Sequence, residues 1–195
     1  MITTIIEKAK GFLLDPAGTF RTSKPDEPGA VLPYFTLLLL VHAVISALFA
    51  VVMVGRGPAP GLMTGGNFDA AVVFFGILAG GFIGAVVFGA WLHLWVYILG
   101  GRGGIWQTLK AVMYGDTPYL LCGWVPFIGF FFILWSLALG ILGICELQEI
   151  STLRAIVAVA LAVMIPLVLL LILAAFFMIA SVTTTAVPAP VAGVL

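Results

Sequence analysis

Apolar residues are concentrated in long stretches of the chain that contain no charged side chain. These stretches cover residues 28–55, 70–101, 117–145 and 155–195, about two-thirds of the chain. A helix needs about 20 apolar residues to cross the roughly 30 Å hydrocarbon core of a bilayer, so each stretch is long enough for at least one span. The pattern predicts an all-α, polytopic transmembrane helix bundle.

Proline and glycine divide the segment 105–145, which contains the third stretch and the residues before it. This segment is too long for one helix and is interrupted by Pro118, Pro126 and Gly129, so we divide it into two spans. The five predicted spans are residues 30–54, 70–99, 105–124, 127–145 and 155–180. Because charged residues occur in the third of these, a re-entrant segment covered by protein is the alternative for it.

The first 29 residues differ in pattern from the membrane domain. Apolar residues recur at helical spacing up to Pro16, which predicts a short amphipathic helix. This helix either lies in the membrane interface, with Lys8 and Lys10 near anionic headgroups, or packs against the bundle. A linker rich in proline and charge completes residues 1–29, and the uncharged tail 181–195 is expected to be disordered.

Composition and charge narrow the class of protein. Apolar residues make up 63% of the chain and charged residues only 8%, which excludes a soluble globular enzyme. The eight basic and eight acidic residues balance, so nucleic acid is not an expected partner. With five spans, seven of the basic residues fall on the side of the N-terminus and only Arg56 on the other. The positive-inside rule then predicts a cytoplasmic N-terminus and an extracytoplasmic C-terminus, in the cell membrane.

Catalytic and metal-binding signatures are not found in the sequence. There is no HExxH, GxSxG, GxxxxGK[ST] or GxGxxG pattern, so we expect no enzyme activity and no cofactor. Cys122 and Cys145 lie in apolar segments without a neighbouring histidine, and we expect buried thiols and no metal site. His42, in the middle of the first span, is expected to form an interhelical hydrogen bond.

Several short motifs occur together along the chain. They are Leu14-Asp15-Pro16 with Phe20-Arg21, Tyr114-Gly-Asp-Thr-Pro118, Pro126, and Glu149 to Ala155. With five spans, they resemble the Yip-domain family of integral membrane proteins, named for the interaction of its eukaryotic members with Ypt/Rab GTPases. The resemblance covers roughly residues 1–180 and implies the five-span topology, and eukaryotic members of the family are implicated in vesicle formation and membrane organisation. The short N-terminal region is similar to that of prokaryotic members, so a GTPase partner is not implied.

Asp116 is an acidic residue embedded in apolar sequence. A carboxylate in hydrocarbon is costly, so it is expected to be functional or paired. At 1.5 Å per residue, Asp116 lies about 9 Å beyond Lys110, and His93 falls at a similar depth in the second span. We therefore consider an ion- or proton-responsive site of Asp116, His93 and Lys110, with Pro118 unwinding the local helix. The alternative is that Asp116 pairs with Arg102 or Lys110 at the interface.

Two further sets of residues are candidates for contacts with other helices or proteins. Small residues at four-residue spacing in the second span predict a packing stripe, favoured within the chain over a homo-oligomer; they are Gly76, Gly80 and Gly84. Charged residues at the cytoplasmic face form either a partner-binding patch or solvated helix ends with local ion pairs. These are Arg102, Glu146, Glu149 and Arg154.

The function predicted from these features is that of a noncatalytic membrane-organising or adaptor protein. It would contact the lipid bilayer along its spans and a protein partner on its cytoplasmic face. The second hypothesis is a small channel or transporter, coupled to ions or protons, that uses Asp116 and His93.

Overall fold

The computed structural model describes residues 2–54 and 70–185, and every regular element in those ranges is an α-helix. The helices are α1 (Ile2–Leu14), α2 (Pro16–Thr22), α3 (Pro28–Val54), α4 (Ala70–Ile98), α5 (Ile105–Gly115), α6 (Thr117–Cys122), α7 (Ile128–Gln148) and α8 (Thr152–Thr185). The loop between α3 and α4, with Arg56, lies outside the described residues, as do residues 186–195 of the predicted tail. Helix α8 extends into the first residues of that tail.

Four helices are long and apolar enough to cross a membrane. They are Pro28–Val52, Ala70–Ile98, Ile128–Gln148 and Thr152–Ile179. Many of their large apolar side chains are exposed on the outside of the bundle, as expected for surfaces that contact lipid. The prediction of an all-α transmembrane bundle is confirmed.

Helices α5 and α6 run antiparallel to α7. Near the end of α7, the Gln148 amide donates to the Thr108 hydroxyl at 2.8 Å. Closer to its start, Ser136 accepts a 3.0 Å hydrogen bond from the Tyr119 backbone N–H. Residues 105–122 would be roughly 27 Å long at 1.5 Å per residue. Since their contacts follow α7 over most of its length, the segment has the extent of a crossing helix, which favours five spans over a shallow re-entrant turn.

Pro118 interrupts the backbone hydrogen bonds between α5 and α6. Proline has no N–H, so the Tyr114 carbonyl one turn earlier lacks its usual helical donor. The Thr117 hydroxyl donates to that carbonyl at 2.6 Å. At the end of α6, the His42 ring on α3 bonds the Leu120 carbonyl at 3.1 Å, which confirms the interhelical hydrogen bond expected for His42.

Pro166 also lacks a backbone N–H, yet α8 continues through it. The carbonyl that would accept a hydrogen bond from this position in a regular helix belongs to Ala162. The indole N–H of Trp91 on α4 donates to that carbonyl at 2.9 Å. A side chain from a neighbouring helix thus replaces a lost backbone donor and joins α4 to α8.

The N-terminal helix packs against the bundle, the second of the two interpretations of its amphipathic pattern. Phe12 of α1 and Phe20 of α2 are fully buried, with ring centroids 4.8 Å apart. Phe12 also lies 4.8 Å from the ring of Tyr114. Part of the predicted linker is helical, because Asp15 caps α2 by accepting from the Gly18 N–H at 3.1 Å and Pro16 suits the first turn.

Two glycines at the contact between α5 and α7 allow a test of this packing. A Cβ added at Gly115 would lie 3.1 Å from the Gly140 backbone, whereas a Cβ at Gly140 would meet nothing within 4 Å. We expect Gly115→Ala to lower the free energy of unfolding by about 1–3 kcal/mol through overpacking. Gly140→Ala is the matched control and should not destabilise. Thermal unfolding in detergent measures both, and equal melting temperatures would contradict the packing of α5 on α7.

Candidate functional site

One end of the bundle is covered by the N-terminal segment, residues 2–27, and is called the capped end here. Helices α3, α5 and α8 begin at this end, and α4 and α7 finish there. The indole N–H of Trp106, near the start of α5, donates to the Asp26 carbonyl at 3.3 Å. Most of the polar contacts between distant parts of the described chain occur at this end.

Lys110 holds the N-terminal segment on the bundle. Its side chain is fully buried, and Nζ donates to the carbonyls of Ser23 at 3.4 Å, Lys24 at 2.6 Å and Asp26 at 3.0 Å. An ammonium group has three donors, and all three are used. Lys110 therefore binds the linker, and its hydrogen bonds do not include Asp116, its predicted neighbour in the intramembrane site.

Asp26 joins the linker to α1 and α5. Its carboxylate accepts a 2.6 Å hydrogen bond from the Tyr114 hydroxyl and forms an ion pair with Lys8. The Lys8 ammonium also lies 5.1 Å from the centre of the Tyr114 ring, a cation–π arrangement. Three segments that are far apart in sequence thus meet in one polar cluster.

Two ion pairs connect the N-terminal segment to the end of α7. Arg21 donates to both carboxylate oxygens of Glu146 at 2.8 Å, and Lys24 pairs with Glu149. The hydrogen bond with Glu146 raises the pKa of Arg21, and the hydrogen bond from Lys24 lowers the pKa of Glu149. Both pairs are largely exposed, so each alone contributes little to stability. The two carboxylates of the predicted partner patch therefore bind the chain's own N-terminal segment.

The two arginines of the predicted patch remain exposed at the capped end. Arg102 donates to the Tyr97 carbonyl at 2.9 Å, and its guanidinium lies 4.4 Å from the centre of the Tyr97 ring. A Cβ at Gly100 would be 3.3 Å from Nη1 of Arg154. Within the described residues, neither arginine forms an ion pair, so their charges face outward.

Asp116 lies at the junction of α5 and α6, on the walls of two cavities. The smaller, of about 390 Å³, lies among α3, α4 and α6 and includes His42 and Ser46. The larger, of about 600 Å³, lies among α4, α5, α7 and α8 and is almost entirely apolar. The partly buried Asp116 carboxylate makes no hydrogen bond or ion pair with any described residue. It is the one charged side chain on the described wall of either cavity.

His93 is bonded elsewhere than to Asp116. Its Nδ1 lies 2.8 Å from the Thr108 hydroxyl, which also accepts from Gln148. Thr108 is about two helical turns nearer the capped end than Asp116. The structure therefore does not form the His93–Asp116 pair, and the other partners considered for Asp116 are bonded elsewhere as well. Gln148, which the sequence analysis did not single out, also donates to the Gly104 carbonyl at 2.8 Å.

The glycine stripe of α4 makes no close helix contact in the described chain, and Gly76 and Gly80 line the smaller cavity. A Cβ at Gly76, Gly80 or Gly84 would meet nothing within 4 Å. The close approach within the chain occurs at Gly81, where a Cβ would lie 2.5 Å from a methyl carbon of Leu39. The intrachain packing favoured for the stripe is thus provided by a neighbouring face of the same helix.

The main contacts of the capped end carry few sequence signals. Arg21 and Glu146 are 125 positions apart, and no local pattern indicates that they pair. The buried Phe12 was part of the amphipathic pattern, but its partner Phe20 fell in the assigned linker. A lysine inside a predicted span, such as Lys110, was the available signal for a buried cation that needs several acceptors.

The match to a known family extends over both the capped end and the spans. A family profile described as the Yip1 domain matches residues 10–190. The chain belongs to the Yip1 domain family. No curated protein and no solved structure shows significant similarity to it. The resemblance noted in the sequence is confirmed, and the matched residues of this Yip1-domain protein begin within α1.

Replacing Lys110 with Met should detach the N-terminal segment of this Yip1-domain protein. Methionine keeps the apolar stem but donates no hydrogen bond, so three carbonyls lose their partner. We expect the free energy of unfolding to fall by about 3 kcal/mol and trypsin to cleave faster after Arg21. Lys10→Met, which removes an exposed lysine of α1, is the control and should change neither. Unchanged cleavage after Arg21 in Lys110→Met would show that Lys110 does not hold the segment.

Acidification should also loosen the N-terminal segment. The pKa of Glu149 lies below the ordinary glutamate value of about 4.3. Its contribution to stability is therefore present above that value and is lost as the pH falls through the lowered pKa. We expect the amides of residues 17–24, corrected for intrinsic exchange, to lose hydrogen-exchange protection between about pH 5 and pH 3.

The variant Glu149→Gln should show weaker protection at pH 6 and a smaller change on acidification, because it has no carboxylate to titrate at this position. Glu7→Gln, at an exposed glutamate of α1, should behave as the wild type. The same pH profile in wild type and Glu149→Gln would rule out a contribution from the Lys24–Glu149 pair.

Proposed function

We propose that this Yip1-domain protein is a noncatalytic membrane-organising or adaptor protein whose binding surface is the capped end. The observation that carries the proposal is the set of three hydrogen bonds by which buried Lys110 holds residues 23–26. They make the N-terminal segment part of the folded bundle. A surface fixed in advance loses less conformational entropy when a partner binds.

The distribution of basic residues supports a cytoplasmic position for the capped end. Lysine and arginine are enriched on the cytoplasmic side of membrane proteins, and seven of the eight in this chain belong to the N-terminal side of a five-span arrangement. The C-terminus would then be extracytoplasmic. We propose this orientation, in the cell membrane, as part of the function.

Charge indicates what kind of partner the capped end would bind. Glu146 and Glu149 are neutralised by the N-terminal segment, whereas Arg102 and Arg154 are exposed without an acidic partner among the described residues. Complementary charge favours specific encounter. The surface therefore suits a protein partner with an acidic patch.

Site-specific crosslinking in cells tests this proposal. A photoreactive residue at Leu153, which is 71% exposed beside Arg154, should give a discrete adduct with one partner. Replacing Arg102 and Arg154 with glutamate should remove the adduct, because the charges would then repel an acidic surface. Lys110→Met should weaken it by disordering the surface. The same crosslinker at Leu170, which is 63% exposed on α8, is the lipid-facing control. Adducts at Leu153 no different from those at Leu170 would contradict the adaptor role.

Transport of an ion or proton is the second candidate function. The observation that favours it is Asp116, which lines both cavities and whose carboxylate has no partner among the described residues. His42 lines the smaller cavity together with Asp116, whereas His93 lines neither. Flux into liposomes that is lost in Asp116→Asn would support transport and overturn the adaptor proposal.

A further inference from the structure

The larger cavity has a buried floor and an open rim. Leu92, Val112 and Val159 form the floor and are 2%, 8% and 4% exposed. Phe130 and Ile133 of α7 belong to the rim and are exposed on the outside of the bundle. Since that outside faces lipid in a membrane, a molecule can enter the cavity from the hydrocarbon layer without passing through the capped end.

The polar side chains of this cavity are few, and they differ in whether they already have a hydrogen-bond partner. The hydroxyl of Ser136 already accepts a hydrogen bond from Tyr119. The Asp116 carboxylate has no partner among the described residues. An ionised carboxylate in apolar surroundings is unfavourable unless a positive charge or donor matches it. The cavity thus combines a large apolar wall with one carboxyl group that has no partner among the described residues.

We propose that this cavity binds lipophilic amines, with the apolar body between α4, α7 and α8 and the ammonium group paired with Asp116. Its volume of about 600 Å³ lies within the roughly 300–1,000 Å³ range of small-molecule sites, which are mostly apolar with a few placed polar groups. This inference goes beyond the adaptor function and does not depend on it.

The position of Asp116 favours amines over membrane lipids as ligands of this cavity. Asp116 lies about 9 Å further along its segment than Lys110 at 1.5 Å per residue, below the capped end. A phospholipid would have to bring its phosphate to that depth, next to a carboxylate that repels it. A hydrocarbon chain would fill the cavity but leave the Asp116 carboxyl group without a hydrogen-bond or charge partner. A metal ion is not favoured either, because no group of three His, Cys, Asp or Glu side chains occurs among the described residues.

Binding of a matched pair of probes to the full-length protein in nanodiscs of zwitterionic lipid tests the proposal. One probe is a tritiated aryl-alkyl tertiary amine with a photoreactive diazirine, and the other is its neutral ether of the same shape. We expect the amine to bind wild type at least about tenfold more tightly than the ether. After illumination, a diazirine on the apolar body should label peptides of α4, α7 and α8, and excess unlabelled amine should prevent the labelling.

Two variants distinguish the contribution of the Asp116 carboxylate to binding from the contribution of the cavity's shape. Asp116→Asn should weaken amine binding about tenfold and leave ether binding unchanged. Gly140→Leu should weaken both, because Gly140 lies on the cavity wall and a Cβ there meets open space, so a larger side chain fills the cavity. Gly140→Ala is the matched control.

Equal affinity of wild type for amine and ether would overturn the proposal, and this comparison needs no variant to fold. So would unchanged amine affinity in a folded Asp116→Asn. Neither result would affect crosslinking at Leu153, so failure of this inference is distinct from failure of the adaptor function. Nanodiscs enclose no compartment, so binding is also measured apart from transport.

Discussion

Backbone carbonyls inside a bilayer need hydrogen-bond donors from the protein, because hydrocarbon supplies none. Pro118 and Pro166 each remove such a donor within the membrane domain, and at both positions a side chain replaces it. Thr117 serves the carbonyl freed by Pro118, and Trp91 serves the one freed by Pro166. The first replacement is local, but the second joins two helices. The arrangement of α4 beside α8 and the junction of α5 with α6 both depend on meeting this requirement.

The same requirement explains the capped end. The linker between α2 and α3 has carbonyls turned toward the bundle, and the buried ammonium of Lys110 supplies their donors. Aromatic packing around Phe12 and Phe20 excludes water beside it. With so few charges in the chain, several of them are used to hold the N-terminal segment. Arg102 and Arg154 are then exposed cations on a surface where most of the other charges form ion pairs.

The spans were predictable from the sequence because the bilayer as solvent requires long apolar stretches, and Pro118 and Pro126 marked the division of the third. Depth along a helix was not enough to predict the site. His93 and Asp116 were assigned similar depths from separate helix ends, but the contact of α4 with α5 places His93 beside Thr108. Whether Gly76, Gly80 and Gly84 contact another helix closely likewise depends on helix rotation, which their spacing does not determine. Lys110 could be recognised as a buried cation, but its acceptors are backbone atoms of a distant linker.

The contacts of the N-terminal segment also set an order of events during biosynthesis. A chain is made from its N-terminus, so residues 2–27 leave the ribosome long before Lys110, and longer before Glu146 and Glu149. The segment cannot reach its final position until α5 has been inserted, and its ion pairs must wait for the end of α7. The N-terminal segment can therefore take its final position on the bundle only after the helices up to α7 have been made.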